Sequence, residues 1–272
     1  GVFISKCIID SNTPILRIVN ITDEVKCINN FDIKSEYLAN YKVYSIDKVK
    51  PSNQRIENLR NLLKNQMPNE VMDDLMPLCL QYNDIFALKD DKMTVNNFYE
   101  QKLRLNDDSP VYNKNYRLPH SQKHEINEQV KNLLKNNLIE PSQSNYNSPL
   151  ILVPKKSIDG QKSFRMCIDF RGVNRKLIAD KFPLPRIDDI LDNLGRAKHF
   201  SILDLFSGFH QVPLHSDSRD ITSFSTDRGS FRWKVLPFGL NIAPNSFSRM
   251  MSIAFSGLSP NQAFLYVDDI IV

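Results

Sequence analysis

Two adjacent carboxylates, Asp268 and Asp269, stand inside the apolar run 264–272, which is otherwise typical of a strand. Aspartate is uncommon in strands, and two like charges held close together repel each other. A hairpin turn would favour Asn-Gly or Asp-Gly, because glycine accepts a positive φ. A divalent cation such as Mg²⁺ would account for the pair, since it prefers carboxylate oxygens and offsets their repulsion. From this stretch alone, a metal site and an ordinary polar turn both stay open.

A third carboxylate, Asp204, lies near the end of a second short apolar run, 199–206. A lone aspartate there more often caps a strand than binds a ligand. If the two runs are neighbouring strands, however, three carboxylates meet at one point. Such a group can hold two metal ions for an in-line phosphoryl or nucleotidyl displacement. The sequence therefore predicts a two-metal centre made of Asp204, Asp268 and Asp269.

The composition is that of a globular protein with one or two domains: 41% of the 272 residues are hydrophobic and 24% are charged. The net charge of +4 is unevenly placed, with its positive excess after residue 100. The basic residues of 151–200 include Lys155, Lys156, Lys162, Arg165, Arg171, Arg175, Lys176, Lys181 and Arg186. A basic region beside an acidic metal site suits a polyanionic substrate, although a merely soluble surface fits as well.

The cysteines and the ends of the chain indicate its setting. Cys7, Cys27, Cys79 and Cys167 form no C-x-x-C pair, so neither a zinc site nor a disulfide framework is predicted and an intracellular setting is favoured. No apolar run of membrane-spanning length and no signal peptide occur, so we expect no membrane partner. The chain begins with Gly1 and stops within a strand-like run, and we interpret it as a piece of a longer polypeptide.

The elements that must position these residues follow from the apolar spacing. Residues 1–50 are predicted to be β-rich, and 51–98 to hold two helices separated by Pro68, the second kinked at Pro77. An amphipathic helix is predicted from His120 to Ile139 with Ser121 as its N-cap.

The second half of the chain is predicted to alternate strands and helices. The predicted elements are a hairpin over 149–170 with its loop at Asp159-Gly160, a helix at 187–194, a strand at 199–206, a helix beginning at Gly208, a hairpin over 223–235, a helix at 244–255 and a closing hairpin. From residue 199 onward this order is the split βαβ pattern.

Six stretches together resemble the reverse transcriptases of gypsy-like LTR retrotransposons. They are Tyr-Asn-Ser-Pro at 146–149, Phe-Arg-Met-Cys-Ile-Asp-Phe-Arg at 164–171, Phe-Pro-Leu-Pro-Arg-Ile-Asp-Asp at 182–189, Leu-Asp-Leu-Phe-Ser-Gly-Phe-His-Gln at 203–211, Leu-Pro-Phe-Gly-Leu at 236–240 and Tyr-Val-Asp-Asp at 266–269. Each stretch alone is a weak signal, but all six in this order are highly specific. The resemblance begins near residue 80, and residues 1–50 more weakly resemble the junction that follows the protease in such polyproteins.

The resemblance implies an α+β fold, the fingers and palm of a right-hand polymerase ending before the thumb. Residues 1–50 would be the junction segment, 51–98 a helical linker and 99–272 the polymerase part. The fingers would lie near 100–198 and 213–235, and the palm would consist of 199–212 and 236–272.

The resemblance also implies the role of each candidate site residue. Asp204, Asp268 and Asp269 would be catalytic and would bind two Mg²⁺ ions, with Mn²⁺ as an alternative. Lys155 and Arg165 match residues that contact the triphosphate of a dNTP. Phe209 would lie under the sugar and exclude a ribose 2′-hydroxyl, while a core aromatic residue stays open as the other interpretation. Phe238 stands where retroviral enzymes carry Gln, which leaves a contact to the sugar 3′-hydroxyl open.

The function implied by the resemblance is RNA-directed DNA polymerisation. The implied partners are an RNA or DNA template with its primer, dNTPs, and the rest of the Pol polyprotein with protease, thumb and connection, RNase H and integrase. The expected locations are cytoplasmic element particles and the nucleus. The fragment 1–272 alone is expected to extend primers poorly or not at all. The alternatives are a remnant that only binds nucleic acid, and an RNA-directed RNA polymerase, which the aromatic ring of Phe209 disfavours.

Overall fold

The computed structural model describes residues 2–4, 9–10, 13–14, 18–20, 52–64, 66, 69–88, 91–155, 163–195, 200–256 and 263–272. The chain divides into two compact units, one of residues 1–7, 17–30 and 94–272, and the other of 8–16 and 31–93. Most of the predicted β-rich region 1–50 lies outside the described residues, as do Pro68 and the predicted turn at Asp159-Gly160. No helix in the described part is long and apolar enough to cross a bilayer.

The smaller unit is a helical hairpin of α1 (Asn53–Lys64) and α2 (Asn69–Gln81), which buries Leu59 and Leu63 of α1. Pro77 lies inside α2, which continues to Gln81. After α2, the guanidinium of Arg55 donates hydrogen bonds to the carbonyls of Asn83 and Phe86 and to Asp91, and so binds the chain that leaves the helix.

The larger unit holds most of the regular structure. Its helices are α3 (His120–Lys135), α4 (Arg171–Asn174), α5 (Ile187–Leu194) and α6 (Ala243–Ala254), with short 3-10 turns at Gly208–Gln211 and Ser216–Thr222. Across both units, the strands among the described residues are β1 (Val2–Ile4), β2 (Ile9–Asp10), β3 (Thr13–Pro14), β4 (Ile18–Asn20), β5 (Ile139–Pro141), β6 (Leu150–Lys155), β7 (Ser163–Ile168), β8 (Ile202–Asp204), β9 (Phe224–Thr226), β10 (Gly229–Trp233), β11 (Phe264–Tyr266) and β12 (Asp269–Ile271).

The strands form small antiparallel sheets. β1 pairs with β4, β2 with β3, and β6 with β7, while three-stranded sheets have the orders β5-β10-β9 and β11-β12-β8. Phe170, Phe224 and Phe247 are among the largest fully buried side chains. Full burial of such rings supplies much of the apolar stabilisation of the larger unit.

Helix α3 departs from its prediction at both ends. It begins at His120 after Pro119, so Ser121 is not its N-cap, and it ends at Lys135 instead of Ile139. Asn137 takes φ 58°, and the N–H groups of Asn137 and Leu138 donate to the carbonyls of Leu134 and Leu133. This is the Schellman arrangement that ends helices. It releases the following residues to form β5, which pairs with β10.

The helix predicted to begin at Gly208 is also wrong, because the chain makes only one 3-10 turn there. Pro213 has no N–H to continue a helix and disfavours helical backbone at the preceding residue. Val212 is accordingly extended, and Pro213 bridges to Val235. The segment after the turn therefore pairs with the chain that follows β10.

Candidate active site

The two acidic runs are neighbouring strands, as the sequence predicts. β8 and β12 pair antiparallel with Asp204 opposite Asp269 and Leu203 opposite Ile270. Directly opposed residues of an antiparallel pair share one face of the sheet, with Cβ atoms about 5 Å apart. Asp204 and Asp269 are both exposed. The register therefore places two carboxylates on one exposed face at the end of β8.

Asp268 lies in the two-residue turn between β11 and β12, beside this pair. The N–H of Leu205 donates to the carbonyl of Asp268 at 3.1 Å, which fastens the turn to the end of β8. Its neighbour Val267 has φ 53°, a backbone conformation that is costly for a β-branched residue. Such strain persists only where the surroundings hold it, and it is frequent at functional sites. The contact with the adjacent chain segment, and not the intrinsic backbone preference of the turn residues, therefore holds the turn in this conformation.

The donor chemistry of these residues fits a divalent cation. Carboxylate oxygens are the ligands that Mg²⁺ prefers, and a cation offsets the repulsion between Asp204 and Asp269. Within the described part of the chain, however, no group of three or more His, Cys, Asp or Glu is placed so that it could hold a metal ion. The cross-strand pair is therefore established, while the three-carboxylate metal centre stays a prediction.

A cluster of aromatic rings lies next to the carboxylates. The ring of Phe209 contacts that of Phe238 at a centroid distance of 5.2 Å and that of the buried Phe247 at 5.4 Å. Phe238 itself is 53% exposed. Phe247 belongs to α6, so the cluster joins the 3-10 turn after β8 to the helix that precedes β11. Phe209 is accordingly a partly buried packing residue that also supports an exposed ring.

Gly208 lies where the turn, α6 and Asp268 meet. A Cβ at this position would be 2.8 Å from Cζ of Phe247 and 3.6 Å from Cβ of Asp268. Because Phe247 is fully buried, its ring has no free space into which to move. The absence of a side chain at Gly208 therefore allows the carboxylate turn to approach the core.

We expect Gly208→Ala to lower the free energy of unfolding by about 1–3 kcal/mol, because it overpacks this contact. Urea unfolding measures the effect. Gly195→Ala is the matched control, since a Cβ there meets nothing closer than 3.6 Å. Equal stability of the two variants would contradict the tight approach.

The predicted triphosphate ligands lie on the β6–β7 hairpin. The register pairs Lys155 with Ser163 and Arg165 with Val153, and Arg165 is exposed. The side chain of Lys155 lies outside what the structure describes. The contacts of both residues with a nucleotide remain predictions.

Sequence reasoning missed His210, a buried histidine next to Phe209. Its ring stacks on that of Trp233, with centroids 5.2 Å apart and an interplanar angle of 24°, and it meets Phe238 edge-on at 5.0 Å. Burial lowers the pKa of His210 to about 4, so the imidazole is neutral at pH 7. The local sequence around Phe209 and His210 does not predict these contacts, because the partner rings come from distant segments of the chain.

A second cluster missed from the sequence lies at the end of β7. The exposed Arg171 donates to both oxygens of Asp169, and the hydroxyl of Tyr116 donates to the same carboxylate at 3.0 Å. The hydrogen bond from Arg171 is the largest cause that holds the pKa of Asp169 well below its usual range. The carboxylate therefore fixes a guanidinium and a phenol ring at the base of the hairpin.

Comparison with known proteins assigns this architecture. Residues 153–272 match the family described as reverse transcriptase (RNA-dependent DNA polymerase). The whole chain is 55% identical to part of the retrovirus-related Pol polyprotein from transposon 412 of Drosophila melanogaster, and 76% of it is 36% identical to the corresponding polyprotein from transposon gypsy. The chain spans about a fifth of the length of these relatives, 22% and 20% respectively.

A solved structure gives the same assignment for the fold. The foamy viral protease-reverse transcriptase in complex with RNA/DNA hybrid aligns with a TM-score of 0.66 and 25% identity, over 87% of this chain and 31% of that one. The likeness confirms the predicted α+β class with the fingers and palm of a polymerase.

Proposed function

Because residues 153–272 belong to the reverse transcriptase family, we propose that the intact protein carrying this chain is an RNA-directed DNA polymerase of a retrotransposon Pol polyprotein. The observation that supports this most directly is the cross-strand pair of Asp204 and Asp269 beside the turn that holds Asp268. The β8–β12 pairing and the hydrogen bond from Leu205 to Asp268 hold the elements of all three carboxylates together. The proposed partners are a primer–template, dNTPs and the remainder of the polyprotein.

The proposed reaction joins the primer 3′-oxygen to the α-phosphorus of a dNTP and releases pyrophosphate. Asp204, Asp268 and Asp269 would hold two Mg²⁺ ions, or Mn²⁺ in their place. When bound, these ions supply charge stabilisation and lower the pKa of the primer hydroxyl. The protein's own contribution is the fixed spacing of the carboxylates, which the β8–β12 register and the hydrogen bond from Leu205 to Asp268 maintain.

The nucleotide would be bound by the remaining predicted residues. A guanidinium such as that of Arg165 suits phosphate oxygens in a bidentate manner, and the ammonium of Lys155 acts as a point charge. The exposed ring of Phe238 would offer an apolar surface to the sugar, and the ring of Phe209 contacts that of Phe238. Phe209 would thereby restrict the space for a ribose 2′-hydroxyl.

We expect Phe209→Val to increase incorporation of ribonucleotides relative to deoxyribonucleotides at least about tenfold, because it removes the ring that would exclude the 2′-hydroxyl. Single-nucleotide extension with matched dNTP and NTP series measures the ratio. Phe209→Tyr keeps the ring and should retain the discrimination of the wild type. An unchanged ratio in Phe209→Val would show that Phe209 is a packing residue only.

Primer extension on an RNA template tests the function itself. The experiment compares two proteins, this chain and a longer protein that continues past Val272. Each is assayed with dNTPs or with NTPs, and in the presence of Mg²⁺ or of EDTA. Activity in the longer protein that depends on dNTPs and Mg²⁺ supports the proposal. Incorporation of NTPs alone would favour an RNA-directed RNA polymerase, and no extension by either protein would favour a remnant that only binds nucleic acid.

A further inference from the structure

Three aromatic rings form a continuous column from the interior to the surface near the carboxylates. Trp233 of β10 is buried, His210 stacks on it, and Phe238 meets His210 edge-on. The two contacts have centroid distances of 5.2 and 5.0 Å. The outer ring, Phe238, is half exposed, whereas the inner two have almost no exposed surface. The column therefore connects an exposed ring to a rigid sheet.

The side chain of His210 is held by ring contacts, while its backbone N–H donates to the carbonyl of Ser207. Its Nε2 is buried and has no hydrogen-bond partner among the described residues, and the same holds for the Nε1 of Trp233. Burying an unpaired polar atom costs stability, and a phenyl ring at this position would avoid that cost. A polar network therefore does not explain the placement of the imidazole. Its contacts with Trp233 and Phe238 are what it contributes to the surrounding structure.

Phe238 depends on its neighbours for a fixed position. It follows the fully buried Pro237 and precedes Gly239, whose φ of +96° marks a sharp turn. Within the described part of the chain, the rings in contact with it are those of Phe209 and His210. Aromatic pairs of this geometry favour one relative orientation of the rings. Removal of either neighbour leaves a half-exposed ring free to adopt another rotamer.

We propose that His210 is a positioning residue, which holds the ring of Phe238 against the sugar of the incoming nucleotide and acts on nucleotide affinity only through that ring. The inference rests on the proposed function. Trp233 of β10 stacks on the imidazole and so limits the movement of the ring that contacts Phe238. His210 touches neither the nucleotide nor the primer.

The test is a double-mutant cycle between positions 210 and 238, read in single-nucleotide extension by the longer protein that contains this chain. We expect His210→Leu to raise the KM for dNTP about fivefold, an effect in the range of one aromatic pair, with kcat changed less than about twofold. His210→Phe restores a ring and should return KM to near the wild-type value. Phe238→Leu should raise KM, and the double variant His210→Leu/Phe238→Leu should match Phe238→Leu alone.

His124→Leu is the matched control, because His124 is an exposed histidine on α3 and its replacement should leave KM unchanged. Trp233 is the only tryptophan of the 272-residue chain, so the emission of that chain reports whether the residue at position 210 still contacts the indole. Additive effects of the two leucine substitutions, or a normal KM in His210→Leu, would overturn the proposal while leaving the function intact. A wild-type protein that extends no primer would instead contradict the function, and the positioning role with it.

Discussion

Asp204→Asn or Asp268→Asn in the protein that carries this chain is expected to lower the rate of primer extension on an RNA template at least about a thousandfold. An amide keeps the shape of the carboxylate but removes its charge and one of its metal-binding oxygens. Charge stabilisation by a bound metal ion contributes several kcal/mol to such a reaction, and each 1.4 kcal/mol changes the rate about tenfold. Extension of a labelled primer under single-turnover conditions measures the loss.

The same substitutions should not reduce stability in the absence of divalent cations. Asp204 faces Asp269 directly across the strand pair, and like charges in that position destabilise a sheet by up to about 1 kcal/mol. Asp204→Asn in EDTA should therefore unfold at the same or a higher temperature than the wild type. Asp227→Asn, in the exposed turn between β9 and β10, is the control for the removal of one charge. Normal primer extension by Asp204→Asn would contradict a catalytic role of the carboxylates. So would a loss of activity that is explained by a loss of folding.

The carboxylate pair could be predicted from the sequence because it depends on local patterns. Two short apolar runs, one with an acidic residue near its end and one with an acidic pair inside it, predict neighbouring strands, and β8 and β12 are neighbours with Asp204 opposite Asp269. The extent of the first strand was overestimated, since regular strand covers only Ile202–Asp204 of the described residues 200–206. Beyond the regular strand, Ser201 still exchanges hydrogen bonds with Val272 and the N–H of Leu205 donates to Asp268, where the chain already turns. Apolar character therefore predicted the pairing but not its length.

The parts that sequence did not predict depend on contacts between distant segments. The 3-10 turn after Asp204 ends where Pro213 bridges to Val235, and the turn with Asp268 is held by the N–H of Leu205. No local sequence pattern predicts such long-range pairing, because each segment by itself is also compatible with a longer helix or with a turn in another conformation. The end of α3 is different: an asparagine at the position after the helix is a known stop signal, and Asn137 could have been recognised. Only the long-range contacts could not be predicted without the structure.

The burial of His210 predicts that the protein loses stability between pH 6.5 and pH 4. The pKa of this imidazole is lowered by burial from its ordinary value of 6.5 to about 4. Between these values the unfolded chain binds a proton that the folded chain does not. The free energy of unfolding should therefore fall as the pH is lowered through this window, by about 3 kcal/mol in total. Urea unfolding at half-unit pH intervals measures the decline.

His210→Phe should abolish this part of the pH dependence, because a phenyl ring keeps the stack on Trp233 without a titrating nitrogen. The exposed His124→Phe is the control and should retain the full decline. The carboxylates Asp107 and Asp169 act in a different range, since their pKa values lie below the ordinary 3.8 and their stabilising contribution is lost only as the pH falls further. A wild type and a His210→Phe variant with parallel profiles between pH 6.5 and pH 4 would show that the folded protein accommodates the imidazolium. The column from Trp233 to Phe238 would then be looser than its burial indicates.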